Sequence, residues 1–395
     1  MSQVTPSVVS RLSPNLEAKE VLPFEGRQLI TFTDARQGTA RHAANIQIAS
    51  ERSFIRSFLY HLAQERPLGD PAAVAVAESN IERIRAVDLP DDLKADLIAQ
   101  EEQKIQAASA APTPKRWDAV RARLAASETV AEFLSEIWTE RDERFKERDE
   151  LAEFLLYREI MRRPVRANSA ETLGLVRLVV PSVDKPGTAL PAAAQRLGLS
   201  NEDWGDVVRL LVTHFLRTNV ILAFPYHWMN WIDRRQSQIT VVRRRDPTAR
   251  TPPGVRFWPN PYGNIPTRVL RMLLQGLSMS ADDRVARDQL EELFDAAWHV
   301  LLPMMVPHGE GYRFQLSLLS LAPIEQAFWC PVTRRVVDTT FRGISPYNRP
   351  GVPHPRAERI ELPVLKFVNG RSSDGSKVST DEIDHWLATD PKSPF

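Results

Sequence analysis

The sequence has one cysteine, Cys330, few glycines and no long uncharged hydrophobic run. A single cysteine excludes an intramolecular disulfide and cysteine-rich zinc or iron–sulfur sites. The most apolar stretch, 210–231, is interrupted by His214, Arg217, Pro225 and His227, so it does not provide the roughly 18–20 apolar residues of a membrane span. The net charge of +1 creates no overall attraction to nucleic acid or membrane. We therefore expect a cytoplasmic globular protein without a membrane partner.

The motifs of several enzyme classes are also missing. No Gly-Lys dipeptide occurs, which excludes a nucleotide-binding phosphate loop of the G-x-x-x-x-G-K type in this chain. The eight histidines are scattered singly, without the spacing of a zinc site. Cys330 follows a tryptophan and is expected to be a small buried side chain rather than a nucleophile. We therefore predict no catalytic residue and no metal site.

Thirty prolines divide the chain into many short elements and exclude one long helical bundle. The patterning predicts a mixed α/β fold that is mostly helical. The expected segments are a flexible arm (1–26), a strand–loop–helix unit (27–66), a helical insertion (67–168), a winged-helix-like module (169–275), a Pro-rich α+β C-terminal portion (276–368) and a polar tail (369–395).

The strand–loop–helix unit begins with the β-branched run 29–33 and continues through a polar loop into a helical pattern from Thr39 to Gln64. On this helix Arg41, Arg52 and Arg56 fall within about 60° of arc. We expect a basic stripe opposite the apolar face, which would contact nucleic-acid phosphates. An ordinary charged face of an amphipathic helix is the alternative.

The helical insertion ends in a segment dense in both charge signs, roughly Trp117 to Arg163. Opposite charges three and four residues apart favour a solvent-exposed helix. A coiled-coil arm is less favoured because the heptad pattern does not persist.

The next segment has helix-turn-helix spacing. A short apolar helix is expected over 171–180, a second over 189–197, and a longer third helix after Ser200 and Asp203, which form a capping-box pattern. Two β-rich runs, 238–243 and 255–258, would then form the hairpin of a winged helix. Purely structural helix pairs share this spacing.

An arginine-rich stretch from His227 to Gln275 holds nine arginines against two aspartates, with aromatic residues between them. Arginines interleaved with aromatics are typical of grooves that hold phosphates and stack bases. We predict that Arg243, Arg244 and Arg245 contact phosphates and that Trp258 contributes to nucleic-acid binding. The alternative is that these arginines pair with a downstream acidic cluster, Asp282, Asp283, Glu291, Glu292 and Asp295.

The run Leu-Ile-Thr-Phe-Thr-Asp-Ala-Arg-Gln-Gly-Thr-Ala-Arg-His-Ala-Ala at 29–44, continued from Ala49 to His61, closely resembles one segment of large bacterial DEAD/DEAH-box helicases. In these superfamily-2 enzymes, of the kind found in phage-defence gene clusters, that segment opens the second RecA-like domain. Residues 32–37 are similar to helicase motif IV. The resemblance therefore implies a partial RecA-like lobe in which Asp34, Arg36 and Gln37 lie on the nucleic-acid side of the cleft between lobes.

The chain departs from that family in the motifs that hydrolyse ATP. The nucleotide-binding loop, the DEAD/DEAH magnesium box and the arginine-finger motif are absent from the sequence, and hydrolysis needs all three together. The resemblance implies an internal, DNA- or RNA-binding section of a longer helicase, inactive alone. ATP and Mg²⁺ would bind an ATPase lobe on another polypeptide or in a longer parent protein. A non-catalytic scaffold that binds a protein partner is the alternative.

Overall fold

The computed structural model describes residues 36–65, 71–86, 90–108, 112–138, 145, 147–161, 169–184, 187–219, 221–228, 240–244, 254–262, 267–324, 326–332, 335–349, 351–360, 367–368, 371–372 and 388–389. The predicted arm 1–26, the predicted strand 29–33, Asp34 and most of the polar tail lie outside these residues. The architecture of the described residues is mixed α/β, with helices packed around several small sheets.

The helices are α1 (Arg36–Gln64), α2 (Pro71–Ala86), α3 (Asp91–Ala108), α4 (Trp117–Ala125), α5 (Glu128–Glu132), α6 (Arg148–Ile160), α7 (Pro181–Asp184), α8 (Ala192–Arg196), α9 (Asn201–Thr213), α10 (Arg268–Gly276) and α11 (Arg284–Leu301). Two π-helical segments, Phe133–Trp138 and His214–Asn219, extend α5 and α9. Short 3₁₀ turns within the described ranges lie at Tyr226–Trp228, Leu302–Met304 and Leu316–Leu318.

The strands are β1 (Lys115–Arg116), β2 (Val176–Val179), β3 (Val241–Arg243), β4 (Val255–Phe257), β5 (Met305–His308), β6 (Gly311–Phe314), β7 (Ser320–Pro323), β8 (Ala327–Cys330), β9 (Arg335–Val337), β10 (Glu358–Ile360), β11 (Phe367–Val368) and β12 (Arg371–Ser372). They form four sheets of order β1-β7-β2, β4-β3-β6-β5, β10-β8-β9 and β11-β12. Of the pairings between these strands, only β3 with β4 is parallel, so most of the described pairing is antiparallel.

Helix α1 forms as the apolar periodicity predicts, but it is not a surface helix. It contacts α4, α6 and the antiparallel strands β2 and β7. Burial therefore extends beyond the apolar positions to Glu51, Arg56 and Ser57, each less than 5% exposed. The predicted solvent-facing basic stripe is consequently wrong at Arg56, because tertiary packing closes over that face of the helix.

Two buried ion pairs join α1 to α6. The Nε atom of Arg56 donates to Oε1 of Glu159 at 2.7 Å, and both side chains are at most 5% exposed. Arg158 donates to Glu51 on the same pair of helices. A buried charge without its partner is costly, so these pairs dictate how the two helices sit against each other.

The segment from Trp117 to Arg163 is not the single exposed helix that its charge pattern predicts. It is divided into α4, α5 and α6, and α4 and α6 pack on each other. Trp117, Val120 and Leu124 recur every three to four residues and are buried. Dense surface charge conceals this apolar stripe in the sequence. The most charged run, 140–144, lies outside the described residues.

The helix-turn-helix prediction is correct for its second and third helices only. Helices α8 and α9 form, and Ser200 and Asp203 make the reciprocal capping box. The first helix, predicted over 171–180, is instead a turn followed by β2. Gly174 adopts a φ of +78° in that turn, and the β-branched valines after it favour a strand.

The two predicted β-rich runs do form strands, but their pairing differs from that of a wing. Strands β3 and β4 run parallel, with Val242 opposite Arg256. A winged-helix hairpin would be antiparallel, so these strands do not form one. Strand β3 also pairs antiparallel with β6, through Val242 and Tyr312.

One continuous hydrophobic core includes residues from each of the four predicted segments between 27 and 368. It extends from Phe54 on α1 through Phe154 on α6 and Leu211 on α9 to Leu321 on β7. The segments are therefore not separated by independent cores. In the C-terminal portion, α11 contributes Leu290, Leu293 and Phe294 to this core.

Cys330, at the end of β8, is fully buried, as predicted for a structural thiol. The hydroxyl of Ser345 lies 2.9 Å from its sulfur. As for membrane insertion, none of the helices among the described residues has both the length and the hydropathy needed to cross a bilayer.

We predict that Arg56→Met destabilises the protein by about 3–5 kcal/mol, because it leaves the Glu159 carboxylate buried without its cation. Urea denaturation followed by circular dichroism measures this change. Arg196→Met is the matched control, since the Arg196–Glu292 pair is more than half exposed on both sides and should contribute less than about 1 kcal/mol. Equal effects of the two variants would contradict the assigned role of the buried pair.

Candidate functional site

A polar cleft of about 430 Å³ lies among the described residues. Strand β2, helix α7, helix α9, strand β8 and the loop that follows β9 each contribute to its walls. Eight of the lining residues carry formal charge: Arg177, Asp184, Glu202, Asp203, Asp206, Arg209, Asp338 and Arg342. Five carboxylates therefore face three guanidinium groups, so the fully ionised cleft is negative.

Helix α9 supplies half of the charged side chains because its polar positions repeat at helical spacing. Glu202, Asp206 and Arg209 lie four and three residues apart and share one face, while Val207, Val208 and Leu211 are buried in the core. The polar face therefore forms one wall of the cleft.

Arg209 is the centre of an ion-pair network in this wall. Its Nε and Nη2 atoms donate to Oδ1 of Asp184 at 3.0 and 2.8 Å, and Nη1 donates to Asp206 at 2.6 Å. Gly205, one turn earlier, leaves room for the guanidinium, since a Cβ there would lie 2.9 Å from Nη2. Asp184 also lies 3.9 Å from Arg177. Both arginines are thus already compensated by carboxylates.

The opposite wall comes from the loop that follows β9. Arg342 donates to Asp203 at 2.9 Å and lies over the ring of Phe341. Asp338 has no hydrogen bond or ion pair with any described residue, yet it acts electrostatically on Arg209 and Asp206. Its carboxylate remains available to a ligand.

Asp206 has an unusual protonation equilibrium. Burial raises the pKa of Asp206 to about 7, against the opposing effect of Arg209. The carboxylates of Glu202, Asp203 and Asp338 raise it further. Asp206 therefore titrates near neutral pH, and such shifts are common where a protein binds or transforms a ligand.

Two threonines beside Asp338 have unmet hydrogen-bonding capacity. Thr339 and Thr340 line the cleft and are 6% and 5% exposed. Neither hydroxyl is hydrogen-bonded to another group of the described chain. The two hydroxyl oxygens are not themselves fully buried, so they are open to a ligand that enters this part of the cleft.

The carboxylates of the cleft are mostly engaged by arginines. Across the described ranges, no group of three or more His, Cys, Asp or Glu side chains has an arrangement suited to a metal ion. In the cleft itself, Asp184, Asp203 and Asp206 are each engaged by arginine.

The described side chains among the predicted nucleic-acid residues do not lie on one surface. Of Arg36, Gln37 and Arg41, only the helical backbone is described, and Asp34 and Arg245 lie outside the described residues. Arg52 is half-buried on α1. Arg56 belongs to the buried pair with Glu159 and is not accessible to a phosphate in this fold.

Trp258 is likewise a core residue. It is 3% exposed, its ring stacks on Phe215 at 5.1 Å, and its Nε1 donates to the carbonyl of Phe294 at 2.8 Å. Because both ring faces and the N–H lie in the interior, the prediction that Trp258 binds nucleic acid is not supported by its position. Aromatic composition alone does not distinguish a stacking platform from a core residue.

Arg243 and Arg244 stand at the end of β3. Arg243 packs on the ring of Phe257 and lies 3.1 Å from Glu310. Arg244 is half exposed and lies 2.5 Å from Asp295. The latter contact matches the alternative that these arginines pair with the downstream acidic cluster. Arg256, on the neighbouring β4, is exposed and has no ion pair with a described residue.

The cleft itself was not predicted from the sequence. The polar face of α9 was visible as spacing, but such a face is usually solvent-exposed. Asp338, Thr339 and Thr340 follow it by more than 120 residues, and no local pattern places them opposite α9.

Comparison with known proteins provides no further guide to this site, since no protein-family profile, curated protein or solved structure matches the chain.

We predict that Asp206→Asn raises the free energy of unfolding by about 1–2 kcal/mol at pH 8, because the folded state no longer holds a disfavoured charge. The folded pKa of about 7 lies above the ordinary value of 3.8. The cost of ionisation is therefore absent below about pH 4, grows as pH rises, and is complete above pH 7.

Urea denaturation of both proteins at pH 4, 6 and 8 tests this dependence. The stabilisation should shrink toward zero at pH 4. Asp282→Asn, which alters an exposed carboxylate outside the cleft, should show no such trend. If Asp206→Asn stabilises the protein equally at all three pH values, the ionisation of Asp206 is not the cause of the stabilisation.

Proposed function

We propose that this chain is the nucleic-acid-binding section of a superfamily-2 DEAD/DEAH-box helicase of the phage-defence type. The observation that carries the proposal is the resemblance of residues 29–61 to the segment around motif IV. In that family the motif precedes a helix, and α1 begins at Arg36, within the resembling run. This is consistent with the first strand–helix unit of a RecA-like lobe, whose strand would be 29–33.

The phosphate-binding surface that we propose consists of Arg243 and Arg244 together with Arg245. Arg256 on β4 adds a further exposed cation beside them. Glu310, the partner of Arg243, is 65% exposed, and Arg244 and Asp295 are 50% and 41% exposed. Ion pairs as exposed as these contribute little to the free energy of folding. A phosphate can therefore replace the carboxylate partner of either arginine at a small cost in free energy. We omit Arg56 and Trp258 from the surface because both are buried.

The helix-turn-helix pair α8–α9 supports a module of the winged-helix kind only in part, since β3 and β4 are parallel. In this proposal ATP and Mg²⁺ belong to an ATPase lobe on another polypeptide or in a longer parent protein. The sequence provides no phosphate loop for them, and this section would couple DNA or RNA to that lobe.

A scaffold that binds a protein partner is the second candidate. The observation that favours it is that several residues predicted to bind nucleic acid make contacts within the protein instead. Arg56 and Trp258 lie in the core, and Arg244 pairs with Asp295 of the acidic cluster. If all the arginines are structural, no affinity for phosphates remains.

We expect a short DNA duplex or single strand to bind with an affinity that falls steeply between about 50 and 200 mM salt, because binding releases counterions. Fluorescence anisotropy with labelled DNA and RNA oligonucleotides measures this dependence. Absence of binding at the lower salt concentration would refute the helicase proposal and leave the scaffold.

The combined change of Arg243, Arg244 and Arg245 to Ala should lower affinity alike for all sequences tested, since phosphate contacts carry no base information. The salt dependence should also become shallower. A matched control is the triple change of Arg83, Arg85 and Arg116 to Ala, which removes three exposed arginines elsewhere. Equal losses in the two triple variants would show nonspecific charge loss rather than a defined surface.

A further inference from the structure

The polar cleft has an excess of negative charge that its own arginines do not neutralise. Arg209 and Arg177 are engaged by Asp184 and Asp206, and Arg342 is engaged by Asp203. Each guanidinium already has a carboxylate partner, so none is left for an anionic ligand.

The carboxylates, in contrast, include two with no hydrogen bond or ion pair to the described part of the chain, the exposed Glu202 and the half-buried Asp338. Asp338 forms no hydrogen bond or ion pair with the described part of the chain, and it lies close enough to Asp206 to influence its ionisation. The two carboxylates approach the cleft from different elements, Asp206 from α9 and Asp338 from the loop after β9. A cation placed between them would gain charge-assisted hydrogen bonds to both.

A second, independent observation indicates a ligand at this place. Thr339 and Thr340 are more than nine-tenths buried and line the cleft, and no described group accepts from or donates to either hydroxyl. A hydroxyl oxygen has two lone pairs and accepts readily from N–H donors. Phe328 adds an aromatic side chain to the same cleft, and aromatic faces attract cations.

We propose that the polar cleft binds a cationic group of the guanidinium or ammonium class, held by Asp206, Asp338 and the hydroxyls of Thr339 and Thr340. A basic side chain of a partner protein and a free polyamine share this chemistry. The inference does not depend on the helicase proposal, because none of these residues belongs to the arginine surface at β3.

Isothermal titration calorimetry of the full chain at pH 8 tests the proposal, with N-acetylarginine amide and spermidine as probes. N-acetylcitrulline amide is the matched neutral control, because citrulline keeps the shape of arginine without its charge. We expect it to bind roughly tenfold or more weakly than the arginine amide, as expected for loss of charge-assisted hydrogen bonds. Equal binding of arginine and citrulline amides, or binding of neither cationic probe, would overturn the proposal.

The two cationic probes distinguish the source of the group. Tighter binding of the arginine amide supports the site as a receptor for a basic side chain. Tighter binding of spermidine supports it as a polyamine site.

Variants locate the binding within the cleft. Asp338→Asn should weaken the better probe by roughly tenfold, whereas Asp282→Asn should leave its affinity unchanged. Thr340→Val keeps the volume and removes the hydroxyl, and it should weaken binding by roughly threefold. Thermal unfolding by circular dichroism confirms that each variant is folded. If both cleft variants bind the probe as tightly as the parent does, the probe binds elsewhere and the assignment of the binding site to the cleft is refuted.

The pH dependence provides a further test, since both probes keep their charge between pH 6 and pH 8. The groups that face Asp206 are Arg209, Glu202, Asp203 and Asp338, and with them it ionises near pH 7. Affinity should therefore fall as the pH is lowered through 7. In Asp206→Asn this dependence should vanish. A pH profile that is identical in the parent and in Asp206→Asn would show that Asp206 does not contact the cation.

Discussion

The pairing of α1 with α6 through buried charges is the constraint on which the rest of the fold depends. Arg56 and Glu159 are separated by 103 residues in sequence and meet in the core. Arg158 and Glu51 form a second contact between the same helices. Desolvation makes any other arrangement of these four charges expensive. Apolar packing alone tolerates sliding of one helix along another, whereas these pairs specify a single alignment.

That alignment determines where the sheets can form. Strand β7 lies between β1 and β2 and contacts α1. Residues near 320 and residues near 115 therefore belong to the same sheet. The hydroxyl of Ser57 on α1 donates to the carbonyl of Ala388, which brings the C-terminal region to the same helix. The part of α1 from Phe54 to Ala63 is therefore integrated into the common core.

The sequence predicts the local elements well, because their causes are local. The periodicity of α1 and the capping box of α9 both depend on residues within a few turns of each other. Apart from the helix wrongly predicted over 171–180, where local valines favour a strand, the errors concern partners that are distant in sequence. Nothing near Arg56 indicates Glu159, and nothing near Trp258 indicates Phe215 or Phe294. Arginine and tryptophan both occur in cores and on binding surfaces, so their composition could not decide between the two.

The cleft also depends on contacts between residues that are distant in sequence. Half of its charged side chains follow one another on α9, and a sequence can show that they share a face. Whether that face meets water or a second wall depends on Asp338 and its neighbours, whose position follows from the sheet of β8, β9 and β10. The raised pKa of Asp206 arises only in the folded protein, since burial is its largest cause.

The two candidate surfaces differ in how firmly their charges are held. At β3, Arg244 and its carboxylate partner are at least two-fifths exposed, so water screens the pair and an incoming phosphate loses little by displacing the carboxylate. In the cleft, Asp184 is 9% exposed and Arg209 is 20% exposed, and breaking that pair would leave a poorly hydrated charge. The cleft arginines therefore stay with their carboxylates, and the carboxylate of Asp338, which no described arginine engages, adds the negative charge that a cation beside Asp206 would meet. A surface of exchangeable cations suits a polyanion, whereas a cleft of fixed pairs with surplus carboxylates suits a single cation.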